Sequence, residues 1–328
     1  MMKYLESPWT DPYYNLALEE YVFEHLDRSQ DWLILWQNEN AIVIGKYQNT
    51  IEEINVEYVT EQNISVVRRL SGGGAVYHDR GNLNYTLIVD QDESFDFNFR
   101  YFVQPVTEAL KTFGVTAEFS GRNDITIGGK KFSGNSQYIK KKRILHHGCI
   151  MVDSNLNHLE HALRVKNIKV KSKSTKSVRS RVTTINEHAV PPVSMEAFKE
   201  ELKKQAAAGN VLEYYELTAK DFAGIEQLRK EKYMTWEWNY GASPVYTVSR
   251  TKKFPGGIVE ARLDVEKGII RNLRFFGDFF GNGDIAELEQ ALCGHPLNEG
   301  LMNVLQHRNV SDYINGIGPA DLYQLLTE

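Results

Sequence analysis

Residues 68–84 read RRLSGGGAVYHDRGNLN and follow directly on the strand-like run Ile64-Ser65-Val66-Val67. Glycine weakens a strand and has no side chain to pack, so three in a row mark backbone that lies close against something else. The pattern fits two readings. One is an anion cradle, in which bare N–H groups surround phosphate oxygens and Arg68 and Arg69 supply charge. The other is an ordinary glycine-rich turn. Two familiar phosphate loops are excluded. Neither Gly45-Lys46 nor Gly129-Lys130 is followed by Ser or Thr, as a Walker loop requires, and Gly72 and Gly74 lead to Tyr77 rather than to the third glycine of a dinucleotide fingerprint.

A second segment, GRNDITIGGKKFSGNSQ at 121–137, narrows the choice. Gly128-Gly129 predicts a hairpin between Ile125-Thr126-Ile127 and the return strand that opens with Lys130 and Lys131. Such a hairpin brings Asp124 close to Lys131. Strand alternation sends Lys130 and Lys131 to opposite faces. Ser133-Gly134-Asn135 reads as a further small-residue turn. An acid beside a lysine suits a metal–phosphate site, and equally a solvated surface hairpin.

Two more segments follow: HHGCIMVDSNL at 146–156 and KSVRSRVTTI at 176–185. In order and spacing the four segments resemble the lipoate–protein ligases. The resemblance extends from DPYYNLALEEYVF near the N-terminus to FPGGIVEARLDVEKGIIRNLRFFGDFFG near the C-terminus, and so covers essentially the whole chain. The arginine- and glycine-rich loop of the related biotin ligases is absent.

The resemblance implies an α+β fold. A large mixed-sheet catalytic domain of the biotin/lipoate-ligase type, 1–242, is expected with a small α+β accessory domain, 243–328. It also implies a reaction. ATP activates lipoic acid as lipoyl-AMP with loss of pyrophosphate, and a lysine of a lipoyl carrier domain then displaces AMP. ATP and Mg²⁺ are the implied cofactors. The implied partners are lipoic acid and the carriers, namely glycine-cleavage H protein and 2-oxoacid dehydrogenase acyltransferase subunits. Lys131 matches the catalytic lysine. Arg69, Ser71, Gly72, Gly73, Gly74, Val76, Tyr77, His78, Asn123, His147, Gly148 and Cys149 match positions expected around the adenylate. Leu16, Trp36, Val43 and Gly45 are candidates for the acyl slot, and Asp124 for the metal. Two departures stand out: Cys149 replaces a residue that is often a hydroxyl in the family, and Tyr138 stands where some relatives place an arginine.

Composition agrees with this outline. The 328 residues suffice for about two domains at ~100–200 residues each. A net charge of −5 provides no global attraction to nucleic acid or acidic membranes. The two cysteines, Cys149 and Cys293, indicate neither a disulfide framework nor a metal-binding spacing. MMKYLESPWTD lacks the apolar stretch of a signal peptide, no run reaches membrane-spanning length, and a reducing cytoplasm is the expected home. A monomer is expected.

The segment 164–181 carries eight basic residues and no acid. It is expected to be a mobile loop that orders over the adenylate. Nucleic-acid binding through these cations is the non-enzymatic alternative, although stacking aromatics are missing. The closer rival is an octanoyl or lipoyl transferase that works through a Cys149 thioester. Biotin ligation is weaker, and octanoate remains open as a substrate. Asp11 and Pro12 predict a helix start. Helices are also expected over Asn55–Gln62, Phe99–Phe113, Ser194–Ala208, Thr218–Thr235, Asp284–Leu292 and Pro319–Leu326. Alternation of Ala261, Leu263 and Val265 with Glu260, Arg262 and Asp264 predicts a one-face-buried strand, with a turn at Glu266-Lys267-Gly268.

Overall fold

The computed structural model describes residues 2–90, 98–121, 123–163, 178–209, 211–241, 248–266 and 268–327. The chain divides into two compact units. The first comprises 1–44, 50–69 and 75–239; the second comprises 45–49, 70–74 and 240–328.

The strands of the first unit are β1 (Met2–Glu6), β2 (Asp31–Trp36), β3 (Ala41–Ile44), β4 (Ser65–Arg68), β5 (Val76–His78), β6 (Asn82–Asp90), β7 (Glu118–Ser120), β8 (Asp124–Ile127), β9 (Lys130–Lys140), β10 (Arg143–Met151) and β11 (Leu212–Tyr214). Eight of them form one mixed sheet in the order β11-β1-β2-β6-β10-β9-β8-β7. β1 runs parallel to both β11 and β2, while the pairs from β2 onward are antiparallel. A small sheet, β4-β3-β5, carries the residues on either side of the three glycines.

Both faces of the large sheet are covered, which explains why β2 reads as the unbroken apolar run WLILW. Leu33 and Leu35 pack under the helices Phe99–Thr112 and Met195–Ala207 with Phe102, Val106, Leu110 and Phe198. Trp32, Ile34 and Trp36 face the opposite way, toward Leu16, Val22 and Phe23 of the helix Pro12–His25. That helix starts where expected: the Asp11 carboxylate accepts from the Tyr13 N–H at 2.7 Å. Burying apolar side chains here contributes roughly 1.5–3 kcal/mol apiece.

The second unit is built on β12 (Val248–Phe254), β13 (Gly257–Glu266) and β14 (Ile269–Gly277), an antiparallel meander. Helices Ile285–Leu292, Gly300–Gln306 and Pro319–Thr327 cover it. Ala261 and Leu263 are fully buried on one face of β13, as the alternation predicts. Tyr47 belongs to this core and stacks on Phe279 with centroids 4.6 Å apart. The predicted turn residue Lys267 and the boundary residues 242–247 lie outside the described residues, as does the basic segment over 164–177.

One expectation is corrected. Ser133-Gly134-Asn135 is no turn, because β9 runs through it unbroken. In its place the β8–β9 ladder shifts register: Ile125 pairs with Ser133 and Thr126 with Lys131, so Phe132 is the extra residue of a bulge. Simple alternation along β9 therefore fails, and Lys131 lies over Gly134, three residues on. Arg68 is one of the two arginines that the anion-cradle reading draws on. Its side chain donates to the Trp238 and Asn239 carbonyls and to the Thr50 hydroxyl.

Candidate active site

The β8–β9 hairpin forms as predicted. Gly128 and Gly129 take φ of +56° and +76°, the left-handed pair that a tight hairpin turn demands. Across it, Lys131 Nζ sits 2.7 Å from Asp124 Oδ1. Their side chains are 33% and 37% exposed, so the pair is worth ~0–1 kcal/mol and exchanges readily for another partner. Lys130 is exposed. A methyl group at Gly134 would come within 2.8 Å of Lys131 Nζ and 2.9 Å of its Cε. Glycine at 134 is what lets the lysine lie flat across the strand. The Lys131 carbonyl accepts from the Thr183 N–H at 2.9 Å, which fixes the chain emerging from the basic segment beside β9.

Asn123 and Asn135 lock the base of this hairpin. Asn123 Nδ2 donates to the Asn135 carbonyl at 2.7 Å, and Asn135 Nδ2 donates back to the Asn123 carbonyl at 3.1 Å. Asn135 Oδ1 in turn accepts from the Tyr85 hydroxyl at 2.7 Å. A side chain at Gly148 would run into Asn135 Oδ1 and the Tyr85 ring. Gly148 is thus glycine for packing across β10. Cys149 pairs in register with Gly134 and contacts its carbonyl at 3.6 Å.

The two adjacent histidines of β10 face opposite layers. His146 is buried against Phe102, ring on ring at 4.7 Å, and burial drives its pKa well below the usual value. His147 points the other way and meets Glu19 Oε1 at 2.8 Å. Glu19 also accepts from Thr86 Oγ1 at 2.7 Å, and Thr86 accepts from Trp36 Nε1 at 3.0 Å. A buried chain, Trp36–Thr86–Glu19–His147, therefore underlies the apolar cluster of Leu16, Trp36, Val43 and Val76. Glu19, only 1% exposed, escaped the sequence reading; its one signal was its place one turn after Leu16 on the apolar helix face.

Arg69 and His78 complete this side. Arg69 is buried, and its Nη1 donates to the Val43 carbonyl at 3.1 Å. Burial lowers its pKa to about 10, against the pull of Cys149 and Glu19, so it stays a cation at neutral pH. Burial, then Arg69 and His147, push His78 down to about 3. His78 is accordingly neutral, and its Nδ1 accepts from Asn38 Nδ2 at 3.2 Å. Its Nε2 is buried with no hydrogen-bond partner among the described residues. Tyr77, the intervening residue of β5, is not brought to this face: its hydroxyl donates to Asn40 and its ring packs on His158.

Ser71, Gly72, Gly73, Gly74 and Gly45 belong to the second unit. There the Ser71 carbonyl accepts from the Lys46 N–H at 2.8 Å, and Gly45 N–H donates to Gln48 Oε1 at 2.9 Å. The Phe279 carbonyl and the Phe280 ring occupy the space a Gly72 side chain would need.

The first unit thus presents a half-exposed lysine paired with Asp124, a buried arginine and an apolar cluster. The comparisons specify the class. The profile "Lipoyl protein ligase A/B catalytic domain" matches residues 11–207, and "Bacterial lipoate protein ligase C-terminus" matches 243–326. Lipoate-protein ligase LplJ of Bacillus subtilis is 46% identical over 96% of this chain and 97% of its own. Among solved structures, P. falciparum LipL1 in complex with lipoate superposes with a TM-score of 0.80 over 100% of this chain and 99% of its own, at 24% identity. Lipoate-protein ligase A bound with ATP gives 0.63 over 74% and 99% at 26% identity. A bi-partite ligase from Thermoplasma acidophilum, solved as a lipoylation system with its E2 lipoyl domain, gives 0.65 over 75% and 99% at 27%. The chain belongs to the lipoate–protein ligase family.

Proposed function

We propose that this ATP-dependent lipoate–protein ligase joins lipoic acid to a carrier lysine in two half-reactions, and that the Lys131–Asp124 hairpin performs the first. The observation that carries this reading is the placement of Lys131: a cation lying over Gly134, held by one half-exposed carboxylate that it can give up. In the first half-reaction the substrate carboxylate replaces Asp124 as the partner of Lys131. The ammonium then follows the negative charge onto the α-phosphate as pyrophosphate leaves. In the second, the carrier amine attacks the acyl carbon and AMP departs. Arg69 supplies a second, buried positive charge near Cys149 and Glu19. Neutral His78 offers its free Nε2 as a hydrogen-bond donor rather than as an acid or base, since Nδ1 already accepts from Asn38.

Leu16, Trp36, Val43 and Val76 are the proposed wall of the acyl slot, with Glu19 and Thr86 fixing Trp36 and His147 beneath it. The glycine loop Ser71–Gly74 is proposed to approach the adenylate. Asp124 is the proposed protein ligand of Mg²⁺. Among the described residues no group of three or more His, Cys, Asp or Glu side chains is set to hold a metal. A single carboxylate suits Mg²⁺, which commonly takes one or two carboxylates and leaves the rest of its shell to phosphates and water. Residues 1–242 are proposed as the catalytic domain and 243–328 as the accessory domain. Glycine-cleavage H protein and acyltransferase lipoyl domains are the proposed carriers, with a cytoplasmic home that suits two unpaired cysteines. Among the described residues no helix is long and apolar enough to cross a membrane.

ATP–pyrophosphate exchange with and without lipoate tests the reading. Lipoate-dependent exchange is expected. Exchange indifferent to lipoate, or acyl transfer that needs no ATP, would overturn it.

A further inference from the structure

The chain leaves the first unit after Ile44 and returns at Thr50, leaves after Arg69 and returns at Ala75, and leaves finally after Asn239. Most of these departure points are tied to one another inside the first unit, and Arg68 is the centre of the knot. Its Nη2 donates to Thr50 Oγ1 at 2.7 Å and to the Asn239 carbonyl at 3.0 Å. Its Nε donates to the Trp238 carbonyl at 2.8 Å, and its backbone N–H donates to Asn239 Oδ1 at 2.9 Å. Thr50 Oγ1 donates to the Asn239 carbonyl as well, and Trp238 Nε1 returns a bond to the Arg68 carbonyl at 2.8 Å. One residue along, the Arg69 N–H donates to the Ile44 carbonyl at 3.0 Å. Arg68, Thr50 and Asn239 are all nearly or fully buried.

We propose that Arg68 is a positioning residue for adenylation: by binding Thr50 and Asn239 together it sets where the glycine loop, the Gly45–Asn49 segment and the C-terminal segment each begin. The planar fork of a guanidinium reaches two acceptors from one nitrogen and a third from another, which a lysine ammonium on a flexible stem does not reproduce. The loop Ser71–Gly74 starts only three residues after this anchor. A small rotation at Arg68 carries the start of the loop with it, and backbone donors turned off their acceptors bind them less well. The inference rests on the ligase reading and adds to it a residue outside the proposed catalytic and acyl-binding sets.

The test compares the full-length protein with Arg68→Lys in lipoate-dependent pyrophosphate exchange, followed by amide hydrogen exchange. The lipoate KM is expected to rise about tenfold, equivalent to about 1.4 kcal/mol, with kcat held within about threefold. Amides of Gly45–Asn49, Leu70–Gly74 and the chain just after Asn239 should exchange faster together, while β6 and β10 stay protected. An unchanged KM, a fall in kcat alone, or faster exchange confined to β4 would overturn the proposal. Should Arg68→Lys fail to fold, Thr50→Val removes one hydroxyl at nearly constant volume, and a smaller shift of the same pattern is expected, about two- to threefold. Wild-type protein with no lipoate-dependent exchange would count against the ligase reading instead, and the amide-exchange arm would still decide the role of Arg68.

Discussion

Lys131 and Lys130 are adjacent residues of the same type with different environments, and that contrast makes the sharpest test. Lys131 lies over Gly134 beside Asp124, whereas Lys130 is solvated. Lys131→Ala is expected to lower pyrophosphate exchange by about 100-fold or more, in the range seen when one transition-state donor is removed, and to leave the circular dichroism spectrum unchanged. Lys130→Ala should stay within about twofold of wild type, since no transition-state contact is lost. Glu19 makes a second test. Glu19→Gln preserves shape but removes the charge that His147 and Thr86 address. A stability loss of about 1–3 kcal/mol is expected in denaturant titrations, with a higher lipoate KM because His147 and Thr86, and through Thr86 the Trp36 ring, are held less firmly. At Cys149, the Ser variant should retain most ligase activity, because adenylation needs no thiol. An acyl-thioester trapped on Cys149, with activity lost in that variant, would favour the transferase route.

At the scale of elements, the bulge in β9 decides the site. It takes up Phe132 as an extra residue, which keeps Phe132 in the core and turns Lys131 and Gly134 to a common face. Gly134→Ala inserts a methyl group where the lysine now lies. The end of Lys131 is flexible and will swing aside, so the melting temperature should change little. Adenylation should nonetheless fall about tenfold or more, because the displaced ammonium no longer meets the reacting phosphate. A crystal structure of that variant with Lys131 unmoved would contradict this account. The hairpin itself was legible in the sequence: Gly128-Gly129 demanded a left-handed turn, and that turn carried Asp124 to Lys131. The bulge was not, because it arises from the competition between burying Phe132 and keeping the ladder in register.

At the scale of the whole molecule, the two units should answer pH in opposite senses. In the first unit His78, at about 3, and His146, well below its usual value, are held neutral by burial. The unfolded chain binds their protons at 6.5, so the stability they provide is complete above that pH and is lost as pH falls toward 3. In the second unit burial raises Glu289 to about 7, despite the bond its carboxyl accepts from the Phe275 N–H and nearby Arg274. Here the unfolded group ionises first, so stability is complete below about 4.5 and is lost as pH rises to about 7. The five tryptophans, at 9, 32, 36, 236 and 238, all lie in the first unit. Tryptophan fluorescence should therefore report acid destabilisation below 6.5, while amide exchange in β13 and β14 should slow as pH falls from 7 to 4.5 after correction for the intrinsic rate. Glu289→Gln should remove the second effect and leave the first.

Local chemistry made much of this protein readable from its sequence. Asp11 caps the helix that Pro12 opens, Gly128-Gly129 turns a hairpin, and the alternation through Ala261 and Leu263 buries one face of a strand. Each depends on backbone geometry within a few residues. The tertiary structure decided what depends on distant neighbours. Glu19 became the partner of His147 across 128 positions, because an acid on an apolar helix face must find donors once water is removed. Arg68 met Thr50 and Asn239, since a buried guanidinium takes the carbonyls and hydroxyls that the fold brings to it. Gly72, legible only as a place of close approach, proved to need its bareness for the backbone of Phe279, more than two hundred residues away. Sequence determines where the chain can bend and what it can bury; only the folded chain determines which polar groups meet, because burial obliges each to find a partner and topology limits the choice.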